Sequence, residues 1–246
     1  MTEFLGGRLR LEQPARGYRF SLDAPILADF LQFGPDDVLL EIGTGVGIIP
    51  LILFVRRPFQ QIYAIEVQPR LAGLAERNVH ANRAQESIRV IRADIREPGL
   101  PGVPERVDVV LSNPPYRRIG QGLLNPDPEK AAARHEVLLD LPELMQAAAR
   151  HLGEDGQLFL THLPGREPEV VREAARRGFH LRRRREVYSF PRDPQPFLVL
   201  LHWTRKAQEP RTLPPLHVYA TEKEHSPEFQ RIISAAGRDN RSKERP

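Results

Sequence analysis

The chain has 246 residues, no cysteine and a formal net charge of +4 at pH 7. Its length suffices for one domain with a full core and extensions, and the missing cysteines exclude disulfides, thiolate zinc sites and cysteine nucleophiles. No stretch approaches the ~18 uninterrupted apolar residues of a membrane span and the first residues carry no apolar signal segment, so a soluble cytoplasmic protein is expected. The modest basic excess favours a polyanionic partner. It is almost entirely arginine, because lysine occurs only at Lys130, Lys206, Lys223 and Lys243.

Met1 to Phe33 reads as a short strand or loop followed by a helix from about Ala24, with Asp23 as its candidate cap and Pro25 in its first turn. Before that helix, Gly17-Tyr18-Arg19-Phe20-Ser21-Leu22-Asp23 clusters two aromatics, an arginine and an acid. Such a segment forms either the lip of a pocket or a capped helix start with core aromatics.

Val38 to Gly47 is an apolar run that breaks into alternating glycines, Gly43, Gly45 and Gly47, and continues as a helix to about Arg57. Strand, glycine turn and helix form the opening unit of a doubly wound sheet, in which missing side chains let a ligand approach the backbone. Ile48 and Ile49 follow Gly47, so the spacing is one residue short of the dinucleotide fingerprint and a nicotinamide cofactor is disfavoured.

A second strand, Gln61 to Glu66, precedes a helix from Pro69 to about Asn82, and a third runs from Ile88 to Asp94. Glu66 is either a ribose-hydroxyl acceptor or a solvated strand-end acid. Asp94 either accepts from an adenine amino group or caps a turn. The fourth strand, Val107 to Ser112, runs into Asn113-Pro114-Pro115-Tyr116. Two prolines stiffen this corner and remove two N–H donors. Asn113 and the Pro114 carbonyl can then accept the two protons of a planar amino group while Tyr116 offers a ring for a flat substrate. A plain rigid turn is the competing explanation. Glu66, Asp94, Asn113 and the glycine turn all fall on the carboxyl edge of the strands, where open α/β sheets bind ligands, which implies a nucleoside-bearing cofactor.

Arg117 to Arg134 is polar and suits either a substrate-gripping segment or a surface loop. A helix is expected from about Pro142 to Leu152, a turn at Gly153–Gly156, a strand from Gln157 to His162 and a helix from Glu167 to Arg177 ended by Gly178. Leu181 to Phe190 and Pro196 to Thr204 read as an antiparallel pair closing the sheet. The fold class is therefore α/β, a seven-stranded, mostly parallel, doubly wound sheet with an antiparallel last strand. The run Arg182 to Arg185 is either a charged edge strand or a grip for RNA phosphates. Composition turns polar after Arg205. The expected layout is a lip (residues 1–33), a core domain (34–205) and an extension (206–246) in which Leu213 to Tyr219 lies on the domain surface, Pro227 to Ala236 forms a short helix and the residues from Gly237 onward are disordered. Histidines are too scattered for a metal site.

The stretch from Val38 to Thr204 resembles the class I S-adenosylmethionine-dependent methyltransferases, through Glu41-Ile-Gly-Thr-Gly-Val-Gly47, Glu66, Asp94 and Asn113-Pro-Pro-Tyr116. More closely, the chain resembles the bacterial tRNA(1)(Val) adenine-N6-methyltransferases, through Tyr18 to Asp23, Asn113 to Arg117, Asn125-Pro126 and Ala133-Arg134-His135-Glu136. The resemblance implies S-adenosyl-L-methionine as cofactor, held by Glu41, Gly43, Thr44, Gly45, Gly47, Glu66, Asp94 and Asn113. It implies Asn113, Pro114 and Tyr116 as catalytic residues, and RNA, most simply tRNA, as the partner of a monomer or homodimer. The expected reaction is methylation of N6 of a tRNA adenosine near the anticodon. Phe20-Ser21-Leu22-Asp23 departs from the Gly-Thr-Asp or Gly-Ser-Asp form frequent in that family. Two alternatives share part of the pattern. One is a protein glutamine-N5-methyltransferase, for whose N-terminal helical domain the residues before Val38 are too few; the other is a non-catalytic cofactor- and RNA-binding module.

Overall fold

The computed structural model describes residues 2–14, 20–114, 116 and 139–234. Seven strands make the body of the sheet: β3 (Val38–Ile42), β4 (Gln61–Glu66), β5 (Ile88–Arg92), β6 (Val107–Ser112), β7 (Leu152–His162), β8 (His180–Tyr188) and β9 (Leu198–Thr204). Their spatial order is β8-β9-β7-β6-β3-β4-β5, with β3, β4, β5, β6 and β7 parallel and β9 running against both β7 and β8. The order reverses between β3 and β6, which opens the crevice where such sheets take ligands.

Strand alternation builds two cores. Leu39, Leu111, Phe159 and Leu200 face one side with helices α1 (Asp23–Phe30), α2 (Ile48–Arg56) and α3 (Pro69–Ala81). Their neighbours Leu40, Val110, Leu160 and Leu201 face the other with α4 (Leu141–His151) and α5 (Glu167–Arg176). Asp140 and Glu143 close α4 with a reciprocal capping box. At the end of α5, Gly178 at φ +77° lets its own N–H and that of Phe179 reach back to Ala175 and Ala174.

β7 starts five residues before the expected strand, because buried Leu152 pairs with Val107 and the register shifts before Val109 meets Gln157. Gly156 is packed so tightly there that a Cβ would lie 2.8 Å from Leu152. Ahead of the sheet, β1 (Thr2–Phe4) and β2 (Leu9–Leu11) form a hairpin turned by Leu5, Gly6 and Gly7, all at positive φ. Asn78 and Asn82, one turn apart on α3, hold the strip that follows it. Asn82 exchanges hydrogen bonds with Arg10 at 3.0 and 2.7 Å, and Asn78 with Glu12 at 2.6 and 3.0 Å.

Residues 211–233 pack onto the sheet. β10 (Arg211–Thr212) and β11 (Leu216–His217) pair with β8, and a small hairpin of β12 (Tyr219–Thr221) and β13 (Glu224–His225) leads to α6 (Pro227–Ile233). Leu216, Val218, Phe229 and Ile232 are buried, and Arg56 donates to the Ile232 carbonyl. The extension after Arg205 thus lies against the sheet, with the short helix expected near Pro227. The disorder expected from Gly237 falls outside the described residues.

The same tail covers the edge of β8 and engages two of its arginines, Arg182 and Arg185. Arg182 bonds Gln208, and Arg183 lies over the Phe30 ring and donates to His202. Arg184 is paired with Glu167 and Glu186, and Arg185 with Glu228 and the Pro214 carbonyl. All four thus have partners within the chain. Among the described residues no helix is long and apolar enough to cross a membrane.

Candidate active site

The glycine turn joins β3 to α2. The Gly43 and Thr44 N–H groups both donate to the Ile65 carbonyl at 2.9 Å, which folds the turn against the end of β4. Gly47, at φ +80°, sits so close to α3 that a Cβ would lie 3.3 Å from that of Ala75. Gly43, at φ +78°, is different: a Cβ there would meet nothing within 4 Å, so its bare face borders open space.

Two carboxylates stand behind the turn. Glu66 is buried, with one oxygen accepting from the Gly45 N–H and the other from the Gln68 N–H, each at 2.9 Å. Burial pushes its carboxyl up, against the pull of these amides. Glu41 is buried too, accepts from the Thr44 hydroxyl, and is pushed up to about 8 by desolvation with a smaller contribution from Glu66. Among the described residues no cation pairs with either. A ligand bearing a positive charge and vicinal hydroxyls would complement this pair.

Asp94, two residues beyond β5, is placed otherwise. Its carboxylate accepts from the Arg96 N–H at 3.0 Å and is clamped by the Arg96 guanidinium, which holds it below the usual carboxylate range.

Asn113 follows β6, next to the glycine turn. Ile42 and Ser112 are register partners, and the Ser112 hydroxyl donates to the Ile42 carbonyl at 2.7 Å, so Gly43 and Asn113 leave neighbouring strands side by side. The Asn113 side-chain oxygen accepts from the Thr161 hydroxyl at 2.6 Å and from the Tyr116 hydroxyl. Tyr116 Oη also lies 2.8 Å from Thr161 Oγ1 and 3.1 Å from an Asp23 carboxylate oxygen. The Tyr116 carbonyl accepts from Arg166 at 3.0 Å, and its ring meets His162 edge-on at 5.6 Å. His162 accepts from the Leu163 N–H on Nδ1, and desolvation lowers it to about 4, so the ring is neutral.

The N-cap of α1 is Leu22, not Asp23, which lies in the first turn with its carboxylate at the Tyr116 hydroxyl. Burial pushes that carboxyl up. Phe20 packs edge-on against Phe4, whereas Gly17, Tyr18 and Arg19 lie outside the described residues, as do Pro115 and residues 117–138. The structure brings together Glu41, Gly43, Thr44, Gly45, Gly47 and Glu66 at one end of the crevice and Asn113 and Tyr116 beside them. Asp94 stands one strand further out. Thr161 and His162, which the sequence reading placed at a strand end without a role in the site, complete the corner. Their only signal is two polar residues ending an apolar strand.

Residues 22–164, more than half of the chain, match the family described as "Methyltransferase small domain". The chain belongs to this family of S-adenosylmethionine-dependent methyltransferases. The methyltransferase is 37% identical over 224 residues to a curated relative from Tolumonas auensis named tRNA1(Val) (adenine(37)-N6)-methyltransferase, with 90% of this chain and 91% of the relative covered. A relative of the same name from Porphyromonas gingivalis is 29% identical, over 80% of this chain and 78% of its own. Among solved structures the methyltransferase resembles a predicted O-methyltransferase of Agrobacterium tumefaciens (TM-score 0.65, 19% identity, 87% of this chain and 96% of that one). A methyltransferase of Pyrococcus furiosus is similar at TM-score 0.58 and 20% identity, covering 81% of this chain and 90% of that one. These establish the class I, Rossmann-like fold expected from the strand order. The residues at the glycine turn fit the family's cofactor: a bare backbone face at Gly43, with uncompensated buried carboxylates behind it.

Proposed function

We propose that the methyltransferase methylates the exocyclic N6 amino group of an adenosine in tRNA, at position 37, the position named for its relatives. The observation that carries this reading is the placement of Asn113 beside the glycine turn, on the strand that neighbours β3.

In this reading Glu66 would accept from the ribose hydroxyls of the cofactor, Glu41 and the turn from Gly43 to Gly47 would hold its amino-acid portion, and Asp94 would face its adenine. When bound, S-adenosylmethionine supplies an electrophilic methyl group. Asn113 Oδ1 and the Pro114 carbonyl accept the two protons of the target amine, which turns the nitrogen lone pair away from the base and toward the crevice. Tyr116 stacks on the base once it has left its neighbours, because a target atom inside a stack is out of reach. Catalysis is mostly positioning, since the nitrogen must lie about 3 Å from the carbon it attacks and in line with the bond that breaks. The amine proton leaves readily after transfer, so no strong base is needed, and neutral His162 is not asked to be one.

The test is transfer of labelled methyl groups to tRNA from cells lacking the protein, followed by mass spectrometry of the nucleosides. N6-methyladenosine should appear with the wild-type protein. Asn113→Ala should lower kcat by about a hundredfold or more while cofactor affinity changes little. Label found in protein glutamine, or equal loss of turnover and cofactor affinity, would overturn the reading.

A further inference from the structure

An asparagine amide is nearly symmetric in shape but opposite in chemistry at its two ends. Turned by half a rotation, Asn113 would present an NH₂ to the target NH₂, two donors would meet, and the lone pair would lose its direction. Something must therefore hold the oxygen toward the substrate. Pro114 fixes the backbone that follows but does not control this rotation.

Thr161 sits at the end of β7, fully buried, on the strand paired with β6 through Ser112 and Leu160 and with β9 through Leu200. Its β-branched side chain has few rotamers, and its position between two sheet neighbours leaves it little freedom. The Thr161 hydroxyl donates to Asn113 Oδ1 at 2.6 Å. A carbonyl oxygen has two acceptor directions. Thr161 takes one, with the Tyr116 hydroxyl on the same side, 2.8 Å from Thr161 Oγ1. The other direction is the one a target amine needs.

We propose that Thr161 is the positioning residue that locks the Asn113 amide with its oxygen toward the target amine. This rests on the reading of Asn113 as the acceptor for the amino group. Thr161 is held in the sheet by its neighbours on β6 and β9. The target amine then approaches an oxygen one of whose lone pairs is already engaged from the sheet.

Thr161→Val keeps the shape and removes the hydroxyl, and Thr161→Ser keeps the hydroxyl and removes a methyl. With tRNA and labelled S-adenosylmethionine, Thr161→Val should lower kcat about tenfold to a hundredfold, the worth of one hydrogen bond at the reacting group. Its cofactor dissociation constant, measured by calorimetry, should stay within about twofold of wild type. Thr161→Ser should recover turnover to within about threefold. Wild-type turnover in Thr161→Val would overturn the proposal, as would equal losses in the valine and serine variants, which would point to packing. A rise in the cofactor dissociation constant that matches the loss of turnover would overturn it too. The absence of any transfer to tRNA by the wild-type enzyme denies the proposed function and this role with it, whereas transfer that survives in Thr161→Val denies only the role of Thr161.

Discussion

Glu66 and Asp94 lie at the carboxyl ends of adjacent parallel strands, and by sequence each is the acid that ends an apolar run. The structure makes them opposites. Glu66 is buried, bonded through backbone amides and the Gln68 side chain and, among the described residues, without a countercharge, so its carboxyl is pushed up. Asp94 has its guanidinium two residues away, so its carboxyl is pulled down and its lone pairs are already in use. Topology puts an acid at the right edge, but solvation decides whether that acid waits for a ligand or is already satisfied. A buried carboxylate without a cation is costly to keep ionised, and that cost is relieved when a complementary ligand arrives.

This contrast can be broken most directly at Glu66. Glu66→Gln should weaken cofactor binding by at least about thirtyfold, since charge-assisted bonds to hydroxyls are the stronger class. A calorimetric titration that shows no change would remove Glu66 from the site and collapse the comparison.

A second effect is a dependence of stability on pH. In the folded chain Glu41 holds its proton up to about 8, whereas an ordinary glutamate loses it near 4.5. Between those values Glu41 binds fewer protons in the unfolded state than in the folded one. Buried His162 and His202, lowered to about 4 and about 3, act in the opposite sense below their ordinary 6.5. The stability of the cofactor-free protein should therefore fall with pH in the window from about 6.5 to 8. Glu41→Gln should flatten the slope of melting temperature against pH, leaving a smaller residue from Glu66, whose carboxyl is shifted in the same direction. A melting temperature that rises over that window would contradict the burial argument.

The smallest expected effect belongs to Asp94. With its carboxylate clamped by Arg96, Asp94→Asn should raise the cofactor dissociation constant by less than about tenfold, the worth of one ordinary hydrogen bond. A loss as large as that of Glu66→Gln would show that the clamp orients Asp94 rather than occupying it.

How much of this was legible beforehand depended on whether the signal was local. The β3 run into Gly43, Gly45 and Gly47, the acids at strand ends and the stiff corner at Asn113 each announce themselves within a few residues, and the fold and family read from them hold. Thr161 carries no such mark. It matters because β7 pairs with β6, and that register is a long-range fact. The arginine run was ambiguous for a related reason: its partners Glu167, Gln208 and Glu228 lie in three separate segments, two of them in the tail, and no local pattern pairs them with β8. Asp23 looked like a helix cap because acids before helices usually are. Only the fold shows its carboxylate turned to Tyr116.

The fully buried Asn78 amide joins the N-terminal strip to the glycine turn, donating to the Glu12 carbonyl at 3.0 Å and to the Val46 carbonyl at 2.9 Å. Peeling away the opening dozen residues would therefore orphan a donor and an acceptor directly under the crevice floor. A truncation at that terminus is thus no neutral edit: it loosens a clasp whose other jaw is the glycine turn.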